Sequence, residues 1–414
     1  MWITNHRFLL IFLTILLGGC QKDALEPKGS ESPFKIFRLP LTWNVHGVHI
    51  EQEEPTNFWF WGGSNLNDNS TALLGKKSAF DLDDLPLGFD AGVVLYDVEV
   101  GQSNIAFAGE INFKGEVGSS TDALVGLCDD EGKLIWWDTI QGPYQDEFRS
   151  ICFLNDSLIG LVGTRQSSPK ASKSLIACYS VTGIRKWSKL INGFSLEEKG
   201  IQINQLSETE VLLTKSISSG AGGRYEYLAL NSFFIENGSE ASVNIEFVKQ
   251  SSFKGWGPAF YREVDVWNAK TVIRKNGDIL VFGQRLQDQT FGDSKAYLFG
   301  VCASGTGTLK WEKEYDFLYD QAYLNDVHIE DSCVLSIAYL ENGIINNDVL
   351  ILDELGSPSQ QIKLDLSSSN YNGIPWKIHS NDRGYQIIGD LVDTRTGSKD
   401  IFSLEIDKKG EVIQ

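Results

Sequence analysis

The sequence predicts an all-β fold, a seven-bladed β-propeller of four-stranded antiparallel blades, on three observations. Seven times along the 414 residues a hairpin with a tight polar turn runs into a short apolar strand, the copies ending in Phe58–Gly62, Ile105–Gly109, Ile159–Gly163, Val211–Thr214, Ile279–Gly283, Val334–Ala338 and Tyr385–Gly389. Self-similarity at a period of roughly 50 residues marks a closed repeat array. A second hairpin lies between consecutive copies, which gives four strands per repeat. The strands read as about five to seven residues long, rich in Val, Ile, Leu and aromatics, and no long segment shows helical periodicity.

Residues 1–19 stand apart from the repeats. His6 and Arg7 precede the apolar run Phe8–Leu17, which is too short to span a bilayer but suits the core of a signal peptide. The run ends in Leu17-Gly18-Gly19-Cys20, which resembles the lipobox of bacterial lipoproteins. That resemblance implies lipidation at the Cys20 thiol and an outer-membrane anchor, on the periplasmic side or the cell surface. Residues 20–33 then read as the lipidated cysteine and a polar, flexible tether. Asp23 and Glu26 within it are similar to the surface-export signals of Bacteroidetes lipoproteins.

The propeller domain is expected over residues 34–414. Phe34–Pro40 reads as an outermost strand without a blade of its own, and the last repeat stops at Gly410–Gln414. The N-terminal strand is therefore predicted to dock on the last blade and close the ring, removing exposed edges. The second hairpins are clearest at Ala123–Trp136, Leu175–Trp187 and Tyr297–Trp311, where a turn glycine (Gly132, Gly183, Gly307) is followed four residues later by Trp136, Trp187 or Trp311. Glycine adopts positive φ there without steric cost.

These Gly-x-x-x-Trp hairpins resemble the tryptophan-docking repeats of quinoprotein-like (PQQ-type) propellers, a likeness that implies the fold. The period here is longer than in that family and only three repeats carry the tryptophan. The adjacent-cysteine pair of the catalytic quinoprotein dehydrogenases does not occur, so their activity is not implied.

The net charge of −19, from 55 acidic and 36 basic residues, argues against nucleic acid and anionic membrane surfaces as partners, since both demand a positive patch. Cys128, Cys178 and Cys302 fall at the same strand position of three blades, too far apart for disulfides, and are expected to be small apolar core residues.

Loop lengths suggest a plain face with tight turns and a functional face with long connections, including residues 65–92, 165–174, 251–266 and 367–375, and binding residues commonly sit on such loops. On that face, Trp256, Phe260, Tyr261 and Arg262 form an aromatic cluster suited to stacking on sugar rings or a peptide, or to plugging the channel. The segment Phe80–Asp90 carries Asp81, Asp83, Asp84 and Asp90 at a spacing that brings calcium to mind without the full ligand pattern. His49, His328 and His379 all fall in first strands of blades that neighbour one another around a closed ring. Three imidazoles with an open fourth position suit zinc; the alternative is hydrogen-bonded histidines packed between blades.

No nucleophilic triad, phosphate loop or paired-carboxylate motif is legible. The expected function is that of a monomeric, lipid-anchored binding or scaffolding protein of the bacterial envelope, with a protein or polysaccharide ligand on the long-loop face. The alternative is a glycan-acting hydrolase or lyase with its site at the channel mouth.

Overall fold

A computed structural model describes residues 35–37, 43–50, 58–66, 69–77, 82–87, 92–112, 120–168, 171–191, 197–219, 225–247, 269–287, 295–315, 321–329, 332–341, 344–366 and 371–413. Cys20 and the cluster Trp256, Phe260, Tyr261 and Arg262 lie outside these residues. Among the described residues there are 28 strands and no helix.

The strands run β1 (Lys35–Phe37), β2 (Trp43–Ile50), β3 (Phe58–Leu66), β4 (Asn69–Lys77), β5 (Leu82–Pro86), β6 (Gly92–Val100), β7 (Asn104–Asn112), β8 (Asp122–Asp129), β9 (Leu134–Ile140) and β10 (Asp146–Asn155). They continue as β11 (Leu158–Ser168), β12 (Ala171–Ser180), β13 (Arg185–Leu190), β14 (Glu197–Gln205), β15 (Glu210–Ser219), β16 (Tyr225–Phe234), β17 (Glu240–Phe247), β18 (Lys270–Ile273) and β19 (Ile279–Gln287). The remainder are β20 (Lys295–Ala303), β21 (Leu309–Tyr315), β22 (Gln321–Ile329), β23 (Cys333–Glu341), β24 (Ile344–Leu352), β25 (Pro358–Leu364), β26 (Tyr371–Asn381), β27 (Gly384–Asp393) and β28 (Lys399–Asp407).

Four-stranded sheets form from β2 to β5, β6 to β9, β18 to β21 and β22 to β25, each in chain order. Strands β10 to β17 form two further four-stranded units, joined by a single parallel bridge between Ser172 and Glu197. In the last sheet β26, β27 and β28 are completed by β1, whose Lys35 lies opposite Ser403. The first strand of each unit touches that of the next, from β2 through β6, β10, β14, β18 and β22 to β26, and β26 touches β2. The apolar repeats recognised in the sequence are the second strands β3, β7, β11, β15, β19, β23 and β27.

Three readings of the connections need correction, the shortest at residues 367–375, of which 371–375 belong to β26. Residues 65–92 are not a loop, because β4 and β5 occupy them, and Asp83 and Asp84 pair along β5 with Lys76 and Gly75 of β4. Residues 165–174 are likewise mostly strand, since β11 extends to Ser168 and β12 begins at Ala171. The second strands are 9 to 11 residues long, longer than expected, because their polar ends continue the ladder without an apolar signature.

The core is a series of apolar layers between adjacent sheets. Trp59 and Leu74 of the first sheet meet Val98, Phe107 and Leu124 of the second, and Ala106 and Val125 of the second meet Phe148, Leu161 and Ala177 of the third. Both faces of the second strands are buried, which explains their near-continuous apolar runs. Small residues make room for large ones across the ladder. Phe107 lies opposite Gly126 and Phe282 opposite Gly300, and a Cβ on either glycine would fall 2.1 Å or 2.7 Å from the ring.

At the rim each of the three tryptophans reaches the next sheet. Trp136 Nε1 donates to Val181 O (2.8 Å), Trp187 Nε1 to Ile235 O (2.8 Å) and Trp311 Nε1 to Glu354 O (3.2 Å). The acceptors lie in turns containing Gly183, Gly238 and Gly356, all at positive φ. Cys128, Cys178 and Cys302 are fully buried in the core layers, and burial pushes the Cys178 thiol up to about 11 and the Cys128 thiol to about 12.

Candidate functional site in the central channel

Among the described residues the first strands surround a cavity of about 1060 Å³ to which every sheet contributes. Its lining is set by a backbone irregularity that recurs at one place. Register shifts interrupt β2 between Val45 and Gly47, β6 between Leu95 and Asp97, β10 between Phe148 and Ser150, β14 between Gly200 and Gln202, β22 between Leu324 and Asp326, and β26 between Pro375 and Lys377. A bulge leaves one residue out of the ladder and re-aims its side chain. The extra residues Tyr96, Arg149, Ile201, Asn325 and Trp376 all line the cavity.

The glycines that close several apolar repeats have their explanation here. Gly109, Gly163 and Gly389 lie opposite Leu95, Phe148 and Pro375, directly before the bulges. A Cβ on them would fall 2.0, 1.8 and 2.1 Å from the carbonyl oxygens of Val94, Glu147 and Ile374. No side chain fits there, so glycine permits the close approach that the bulged strand makes.

The residue after each bulge forms a second level: Gly47, Asp97, Ser150, Gln202, Asp326 and Lys377, with Lys270 in the same register of β18. Four of them accept a backbone N–H from the neighbouring first strand. Asp97 Oδ2 accepts from Ile151 N (3.0 Å), Ser150 Oγ from Ile203 N (3.4 Å), Gln202 Oε1 from Thr271 N (2.7 Å) and Asp326 Oδ2 from Ile378 N (3.1 Å). Gln202 also donates to Thr271 O (3.0 Å). These bonds stitch sheet to sheet around the channel and satisfy backbone groups that strand pairing leaves over.

Two residues further along lie Glu99, Cys152, Asn204 and Val272, which line the cavity, and His328 and His379, which do not. The two imidazoles meet edge to face with centroids 4.8 Å apart. The backbone of His49 holds the matching register on β2, opposite Trp59, and its side chain lies outside the described residues. The structure thus brings two of the three candidate histidines together. Among the described residues no three His, Cys, Asp or Glu side chains form a group with metal-binding geometry.

The electrostatics follow from burying several charges in one cavity. Burial, with Asp97 nearby, pushes the Glu99 carboxyl up to about 7. Asp97 is also raised, by burial first, against the hydrogen bond from Ile151. Burial and then the charge of Asp97 and Glu99 raise the Cys152 thiol, so it is not a thiolate nucleophile. Lys377 is raised by Asp326, 3.5 Å away, while Lys270 is lowered by burial and by Lys377 against the opposing pull of Asp326 and Asp97. The Arg149 guanidinium lies 3.9 Å from the centre of the Tyr96 ring and pairs with Glu147 at 2.8 Å. The Tyr96 hydroxyl is raised by burial and by Glu110, to which it donates a hydrogen bond.

Sequence reasoning missed most of these residues. The signal was present as a four-residue pattern, any residue, a polar residue or Gly, Val or Ile, then any residue: His46-Gly-Val-His49, Tyr96-Asp-Val-Glu99, Arg149-Ser-Ile-Cys152, Ile201-Gln-Ile-Asn204, Asn325-Asp-Val-His328 and Trp376-Lys-Ile-His379.

No protein-family profile matches the sequence, and no curated protein matches it. Among solved structures the chain is similar to a polysaccharide lyase, with a TM-score of 0.53 at 9% identity over 90% of this chain and 91% of that one. It is similar also to the periplasmic gluconolactonase PpgL of Pseudomonas aeruginosa, with a TM-score of 0.51 at 10% identity over 86% and 94% of the two chains. A prolyl endopeptidase aligns over 90% of this chain with a TM-score of 0.49 and 12% identity, and the chain spans 48% of its length. At such identities the likeness is one of fold. Repeated four-stranded antiparallel sheets, first strands around a common cavity and the likeness to the lyase and the gluconolactonase together make the chain a β-propeller.

Proposed function

We propose that this chain is a lipid-anchored, seven-bladed propeller of the bacterial envelope that binds a polysaccharide at the mouth of its central channel. The carrying observation is the repeated bulge, which aims Tyr96, Arg149, Asn325 and Trp376 from four different sheets into one open cavity. Aromatic faces beside amide and charged groups are the chemistry that holds a sugar ring, through stacking on one side and directed hydrogen bonds on the other. In this reading β1 acts as the closing strand of the ring, Cys20 carries the lipid, the protein is a monomer, and the loop residues Trp256, Phe260, Tyr261 and Arg262 extend the binding face. Affinity electrophoresis of the full chain in gels containing different polysaccharides tests the proposal. Retardation by at least one polysaccharide, reduced in Trp376→Ala, supports it; equal mobility in all gels refutes it. Labelling with radioactive palmitate, lost in Cys20→Ala, tests the anchor.

A second reading, a glycan-acting hydrolase or lyase, is favoured by Glu99. Its carboxyl faces the cavity and is pushed up to about 7, the range in which a carboxyl can give or take a proton at neutral pH. New reducing ends or unsaturated products from a retained polysaccharide, abolished in Glu99→Gln, distinguish this reading from binding alone.

A further inference from the structure

Three residues at the second level of the channel wall, Gly47, Lys270 and Lys377, have no side-chain acceptor to offer the next strand. Asp97, Ser150, Gln202 and Asp326 each spend an acceptor on the next strand's N–H. Lysine carries only donors, so Lys270, in the same register, cannot join that stitch. Lys377 shares this limitation but is paired with Asp326. Arg149 is paired with Glu147. Lys270 lines the cavity and, among the described residues, makes no hydrogen bond and no ion pair within 4 Å. The nearby carboxylates are committed elsewhere: Asp97 to Ile151 N and Val98 N, Asp326 to Ile378 N and Lys377.

We infer that the saccharide bound in this channel is anionic, and that Lys270 receives its carboxylate or sulfate. The inference rests on the glycan reading above and names the ligand's charge. A cation with no hydrogen-bonded partner in a cavity is costly: burial and then Lys377 disfavour its charged form, and the fields of Asp326 and Asp97 offset this only in part. An entering anion supplies the missing partner, and a charge-assisted bond inside the cavity is stronger than the same bond in water. Tyr323 and Trp376 stand on the same cavity wall, where a ring carrying that anion can pack.

The test measures binding of the full chain by calorimetry to three probes of equal length: a uronic-acid oligosaccharide, its carboxyl-reduced neutral counterpart, and a sulfated neutral oligosaccharide. The expected result is that one acidic probe binds at least tenfold tighter than the neutral one, and which one it is separates carboxylate from sulfate. In Lys270→Met that ratio falls towards one, while Lys270→Arg keeps most of it. The melting temperature of Lys270→Met should be equal to or above that of the wild type, because a half-buried amine without a hydrogen-bond partner has been replaced by an apolar side chain, and this establishes that the variant is folded. Equal binding of acidic and neutral probes, or a ratio that Lys270→Met leaves unchanged, overturns the inference and leaves the glycan reading standing. Binding of none of the probes overturns both.

Discussion

Neighbouring sheets are joined in two regions, at the rim and around the channel, and the two use different physics. At the rim an indole from one sheet packs on the turn of the next and donates to its carbonyl, in three of the sheets. Around the channel short polar side chains reach from one first strand to the backbone of the next. The rim joint contributes apolar area and leaves the ligand cavity untouched. The channel joint shares its residues with the cavity, so any damage to it should appear in both stability and binding. That distinction separates scaffold from site.

The sharpest way to break the comparison is Asp326→Ala. It orphans the buried Ile378 N–H, which costs up to about 3 kcal/mol, and takes the partner from Lys377, a small further loss because that side chain is 40% exposed. Chemical denaturation should show that loss together with weakened ligand binding. Gly163→Ala should come next, at about 2 to 3 kcal/mol, because the new Cβ would collide with the Glu147 carbonyl. Relief requires the bulge to move, so Arg149 should shift and binding should fall although Gly163 touches no ligand. Trp187→Ala, at the rim, is expected to cost about 2 kcal/mol for a half-buried indole and its hydrogen bond while leaving affinity unchanged. A binding defect in this variant would erase the proposed division between rim and channel.

The smallest effect is one of pH. The Glu99 carboxyl is raised from its ordinary 4.5 to about 7, so between these values the folded state holds a proton that the unfolded state has released. The contribution of Glu99 is therefore fully present below about pH 4.5 and is lost as pH rises through about 7. Glu99→Gln removes this slope. Melting curves should show the variant gaining on the wild type across that window, to about 1 to 2 kcal/mol at pH 8. A constant difference from pH 4 to 8 would contradict the burial of Glu99 in the channel.

The rim was legible in the sequence and most of the channel was not. Trp136, Trp187 and Trp311, each four residues after a turn glycine, announce both their strand and its hairpin, because indole and glycine have few interchangeable substitutes at such positions. The apolar second strands were equally plain, since burial on both faces demands an unbroken run. The channel wall depends on an extra backbone residue that shifts register partway along each first strand. Period-two reasoning fails at that point, and Tyr96, Arg149 and Trp376 read as ordinary strand residues. Strands β4 and β5 and the polar end of β11 read as loop in the sequence for a related reason, as hydrogen bonding continues where hydrophobic alternation stops. The histidines share a first-strand position in the sequence, and the structure gives His328 and His379 a common register and a mutual contact.

The repeated bulge has an evolutionary consequence. Since the unpaired residue takes no part in the ladder, its identity is nearly free of folding constraints, and Tyr96, Arg149, Ile201, Asn325 and Trp376 differ accordingly in size, charge and polarity. The glycine or neighbouring backbone that permits each bulge stays fixed while the residue it presents varies. A propeller built this way can acquire a new specificity by single substitutions at a handful of positions, with the frame that carries them left intact.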